Sequence, residues 1–184
     1  MDTNAGTLQK RPIGLIFGLI GGACIVLFMT GLYKGGVNVY LGPLAWLGYL
    51  IMIGFAVAAA QAQKKANGGY LEFVQALKTC FTVFVIVLAS QTLFIWLLVN
   101  HLDTHFKEVL RIAMLKKTEE ALVYIGYDQQ KINEVMTQER SKDPFMLAGM
   151  CTALAFVYII FFMISLLIAA IVKKKQTEIT DTRL

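Results

Sequence analysis

Four long apolar runs divide the chain, over about 13–33, 40–61, 79–100 and 145–172, and none of them carries Asp, Glu, Lys, Arg or His. A bilayer core about 30 Å thick takes roughly 20 apolar residues in helical form, because each residue advances about 1.5 Å. The first three runs meet that length, and the fourth exceeds it and must tilt or protrude. Backbone polar groups in lipid have to be satisfied within the segment, so each run is predicted to be a helix rather than an open strand.

Between the runs the pattern changes period. In the segment 101–143, Leu102, Phe106, Val109 and Ala113 recur at helical spacing, with Leu110 and Met114 beside them. Gly126 is placed to end that helix, and Asp128 to cap a second one carrying Ile132, Val135 and Met136. Asp143-Pro144 is then expected to open the fourth span, with the aspartate as N-cap and the proline in the first helical position. The predicted fold is all-α: a four-helix transmembrane bundle forming one integral membrane domain over 1–184. A helical extramembrane hairpin is inserted between spans three and four.

Of 184 residues, 57% are hydrophobic and 16% charged, and the mean hydropathy is +0.63. Soluble domains carry about 25% charge, so composition agrees with the pattern. The first run, preceded by Lys10-Arg11, is read as a retained span rather than a cleaved leader. Cys24 is followed by residues that belong inside a bilayer, and no Ala-x-Ala signal follows Leu32.

Basic residues suggest the orientation. Lys10, Arg11, Lys64, Lys65, Lys78, Lys173, Lys174, Lys175 and Arg183 share one side with Asp2, Glu72, Glu178 and Asp181. On the other side, eight bases meet eight carboxylates, nearly all of them in the long loop. The first set is crowded close to the span ends, which places it and both termini in the cytoplasm. Tyr33, Tyr40 and Trp96 are then expected in an outer interfacial belt. No basic groove interleaved with aromatics is present, so nucleic acid is not an expected partner; membrane lipids are.

Small residues supply the packing motifs. Gly14, Gly18 and Gly22 recur every fourth residue, with Gly21 beside them, and Gly54 and Ala58 repeat the spacing in the second span. Such faces let two backbones approach closely. They serve either the chain's own bundle or self-association. A Gly18→Leu substitution separates the two, unfolding the chain in the first case and only dissociating it in the second.

Candidate chemistry is sparse. His101, His105 and Glu108 would share one face of an uninterrupted helix, and two imidazoles with a carboxylate can bind zinc. Polar anchoring at the interface is the plainer role, and no cofactor is expected. Ser90, Gln91 and Thr92 form the one polar cluster within a span. They would either line a path for a small solute or make interhelical hydrogen bonds. Cys24, Cys80 and Cys151 form no Cys-x-x-Cys pair and are read as structural thiols.

The link between the second and third spans reads Lys64-Lys65-Ala66-Asn67-Gly68-Gly69-Tyr70, followed by Phe73 and Ala76. The approach to the fourth span carries Met136, Lys142, Asp143, Pro144 and Phe145. In these features and its four spans the chain resembles an uncharacterised family of Bacteroidetes membrane proteins, a domain of unknown function. The resemblance implies a bacterial cytoplasmic membrane location and a helical long loop, and no site residues. Gly68-Gly69 reads as a tight turn, and Glu72 to Lys78 as an amphipathic interfacial elbow before the third span.

The function expected from these features is a non-enzymatic scaffold or accessory subunit that binds other membrane proteins or itself. A small oligomeric transporter or channel is the alternative. A hydrophilic stripe shared by facing helices would favour transport; a dry bundle with an exposed apolar flank would favour the subunit.

Overall fold

The computed structural model describes residues 12–174 and is all-α. Lys10, Arg11, Lys175, Arg183, Asp2, Glu178 and Asp181, used above for orientation, lie outside the described residues. In chain order the helices are α1 (Ile13–Lys34), α2 (Val37–Tyr40), α3 (Trp46–Ala66, entered through a 3-10 turn Pro43–Ala45) and α4 (Phe73–Leu97). A π-helical turn, Leu98–Leu102, continues α4, and α5 (Thr104–Ile125), α6 (Gln129–Ser141) and α7 (Leu147–Val172) follow. Four stretches are long and apolar enough to cross a membrane: Ile13–Lys34, Pro43–Ala66, Phe73–Leu102 and Leu147–Val172.

Three boundaries differ from expectation, each for a local reason. The second span begins at Pro43 rather than residue 40. Gly42 is extended before a proline that lacks an N–H, so the short α2 cannot run into α3. The third span begins at Phe73, six residues early. Leu71 is 1% exposed and pairs with Lys174 in an antiparallel bridge, so the turn falls there and no elbow separates 72–78 from the span. The fourth begins at Leu147, because Asp143 and Pro144 form a turn instead of opening the helix.

The central helix is α4, which packs against α1, α3 and α7. Its contact with α1 runs along the glycine face. An added Cβ would lie 3.0 Å from the Thr79 carbonyl oxygen at Gly14, 2.7 Å from Ile86 Cδ1 at Gly18 and 2.6 Å from Ser90 Oγ at Gly22. Gly21 turns toward Val87 and Phe55. Close approach, rather than the hydrophobic effect, holds helices together in lipid, and these glycines permit it. By contrast Gly54 and Ala58 are exposed, and among the described residues nothing lies within 4 Å of a Cβ built at Gly54. On the other flank, α7 is fastened to α4 by Tyr158, whose hydroxyl donates to the Val85 carbonyl at 3.1 Å, and by Phe161 against Phe84.

At the end of the bundle where α3 leads into α4, Gly68 and Gly69 adopt φ of 69° and 93°, as the tight turn requires. Lys64 Nζ donates to the Val172 carbonyl at 3.0 Å, placing a cation at the C-terminus of α7 where the helix dipole favours it. This end is therefore latched by the α3–α4 link and the end of α7 together.

Candidate functional site

At the opposite end, α5 is laid across the bundle. Asp103 interrupts the helix and caps α5, accepting from the Phe106 N–H at 2.8 Å and from the Tyr33 hydroxyl at 2.7 Å. Those hydrogen bonds, the Phe106 N–H first, hold its carboxyl below the usual range. Phe106 sits between Tyr33 and Tyr40, ring centroids 4.8 and 5.5 Å away and both edge-on. The buried stripe of α5 is Phe106 and Leu110, not Leu102 and Val109, which are exposed. The interruption at Asp103 resets the helical phase. Gly126 ends α5 at φ 91°, and Asp128 caps α6 by accepting from the Lys131 N–H. Ile132 and Met136 of α6 are buried.

A polar collar fixes the far side of α5. Lys107 Nζ lies 2.9 Å from Asp143 Oδ2 and 3.1 Å from Asn100 Oδ1, and Asn100 Nδ2 donates to the Phe145 carbonyl at 3.3 Å. The hydrogen bond from Lys107 is the main reason the Asp143 carboxyl is lowered from its ordinary range. Asp143 also accepts from the Phe145 N–H at 2.9 Å, an Asx turn that replaces the expected N-cap. Arg111 donates to the Arg140 and Lys142 carbonyls, and Lys117 to the Leu41 carbonyl at 2.7 Å.

Beneath this roof the bundle is not filled. A hollow of about 450 Å³ lies among α1, α3 and α4, with Leu110, Met114 and Phe145 among the residues closing it. A second, of about 280 Å³, extends between α4 and α7 and shares Gln91, Ile95 and Met114 with the first. Exposed Trp46 and Tyr49 stand at the rim. Tyr40 and Gln91 both line the larger hollow, and the Tyr40 hydroxyl and Gln91 Oε1 are buried without a hydrogen-bond partner among the described residues. Burial pushes the Tyr40 phenol well above its ordinary pKa, so it stays protonated.

The candidate residues read from sequence are not brought together. His101 stands in the π turn against Trp96, at 4.8 Å, while His105 and Glu108 follow the break at Asp103, and all three are exposed. The break removes the shared face on which zinc binding depended. Among the described residues no three His, Cys, Asp or Glu side chains converge. Ser90 donates to the Ile86 carbonyl and abuts Gly22, Gln91 faces both hollows, and Thr92 lines only the smaller one. Successive residues on a helix point about 100° apart, so the three form no common path. Of the residues expected in an outer belt, Tyr40 is 8% exposed, and it packs edge-on with Tyr33 against Phe106. The cluster of Asn100, Lys107 and Asp143 is hidden in the sequence because Lys107 and Asp143 lie 36 positions apart. The one sequence signal was the lone Asn100 at the end of an apolar run.

Four spanning helices carrying a helical hairpin define a multi-pass membrane protein. Residues 13–174 match the family described as protein of unknown function DUF4199, and the chain belongs to that family. Comparison with curated proteins and with solved structures gave no match.

Proposed function

We propose that the protein is a non-enzymatic scaffold or accessory subunit of a bacterial cytoplasmic membrane, binding another membrane protein through the outward face of α3. The observation that carries this reading is the contrast between the two small-residue faces. Gly14, Gly18 and Gly22 are occupied by α4, whereas Gly54 and Ala58 lie open on a flank of the bundle. In lipid, an open small-residue groove offers a second helix the close approach that gives association its energy. Both termini lie in the cytoplasm in this reading, and the α5–α6 hairpin stands outside.

The test is gentle-detergent purification of the tagged chain from its native membrane, for the wild type and for Gly54→Leu. A stoichiometric partner that the variant loses, with its own fold intact, is the expected result. A homo-oligomer alone, or a partner retained by the variant, overturns the reading.

A further inference from the structure

We infer that the hollow under α5 is a binding site for a neutral membrane lipophile, an apolar chain or ring system carrying a hydroxyl or carbonyl group. This inference is independent of any association through α3. The larger hollow, at about 450 Å³, falls within the roughly 300–1,000 Å³ of small-molecule sites. Its walls are mainly aliphatic and aromatic, among them Ile25, Met52 and Ile95.

Its polarity is what narrows the ligand. A buried polar atom without a partner is uncommon in a folded protein, and among the described residues two that line one hollow, Tyr40 and Gln91, each carry one. The Tyr40 hydroxyl can donate to a carbonyl or accept from a hydroxyl, and the Gln91 amide can do either. Among the described residues, no Asp, Glu, Lys, Arg or His lines the larger hollow. A phosphate or carboxylate head would be buried there without a countercharge, which is strongly unfavourable. Entry is from the side: Trp46 and Tyr49 are exposed on a spanning helix at the rim, where the surrounding solvent is lipid. The roof that excludes water from the polar pair is α5, held by the Asp103 and Lys107 contacts.

Trp46 and Trp96 are the two tryptophans, so Trp96→Phe leaves a single reporter at the rim. The protein in lipid nanodiscs is titrated with a terminally brominated long-chain alcohol, the corresponding bromoalkane and the corresponding bromocarboxylate, and Trp46 quenching is read. The alcohol is expected to quench saturably, and the alkane to bind roughly tenfold more weakly for want of the hydrogen bonds. The carboxylate is expected to show no saturable component. Tyr40→Phe should bring the alcohol to the level of the alkane while raising the melting temperature, because a buried hydroxyl without a protein partner is removed. A residue that is only structural does not give that pair of opposite effects. Ile95→Phe, at the junction of the two hollows, should remove saturable quenching. Quenching that rises linearly and equally for all three probes, preference for the carboxylate, or an alcohol affinity untouched by Tyr40→Phe overturns the inference.

Discussion

Gly14 and Gly54 both lie inside spanning helices, yet alanine at the two positions should act in opposite directions. At Gly14 the new methyl would sit 3.0 Å from the Thr79 carbonyl oxygen and 3.3 Å from Thr82 Cβ, groups fixed to the α4 backbone that cannot swing away. Overpacking costs about 1–3 kcal/mol, offset by the 0.5–1 kcal/mol or so that alanine gains over glycine within a helix. The net expectation is a loss of about 1–2 kcal/mol. At Gly54 nothing lies within 4 Å, so only the gain of about 0.5–1 kcal/mol remains. A gap of about 2 kcal/mol corresponds to melting temperatures some 4–8 °C apart for a chain of this size. Cys80 is buried, Cys24 partly buried and Cys151 exposed. With Cys24 and Cys151 replaced by alanine, labelling of Cys80 by a thiol-reactive dye on heating reports unfolding. If the two variants melt together, or Gly54→Ala melts lower, the α1–α4 contact is not as close as described and the reasoning fails.

Lys107→Met should loosen α5 by about 1 kcal/mol, because the pair with Asp143 is only partly buried. The Asp143 carboxyl is lowered in the folded protein, so its contribution is complete above the ordinary carboxylate pKa of about 3.9 and is lost as pH falls through the folded value. In Lys107→Met the lowering largely disappears, and hydrogen exchange of the α5 amides, corrected for intrinsic rates, should lose its acid-dependent step; an unchanged step refutes the assignment. Gly126→Ala forces a left-handed residue with a Cβ and should destabilise the α5–α6 hairpin by about 1–2 kcal/mol, seen as faster exchange in α6 with α1 and α4 unaffected. Zinc should not shift the melting temperature, given the break between His101 and His105; a stoichiometric shift abolished by His105→Ala would contradict the geometry.

The local parts of this protein were legible because each depends on signals close together in sequence. The four spans follow from uninterrupted apolar length, which the bilayer makes sufficient by itself. Gly126 and Asp128 followed from cap chemistry, which needs only neighbours within a turn. What failed depended on partners distant in the chain. Asp143 reads as a helix cap because its partner Lys107 lies across the hairpin, and residues 72–78 read as an elbow because Lys174, whose pairing with Leu71 fixes the turn before them, is over a hundred residues away. The zinc trio assumed helical continuity that Asp103 ends, where Tyr33 supplies the hydroxyl that helps hold the break.

By itself, then, the sequence determined that the chain has four helices long and apolar enough to cross a membrane and a two-helix insertion, since lipid leaves a long apolar segment almost no alternative to a helix. Only the tertiary structure decided which faces those helices turn to one another. Spans that are apolar all round show little periodicity to mark an inside and an outside. The glycines of α1 and the open pair on α3 look alike as text; packing alone makes one an interior contact and the other a flank. The hollow beneath α5, with Tyr40 and Gln91 on its wall, exists only because five elements meet imperfectly there.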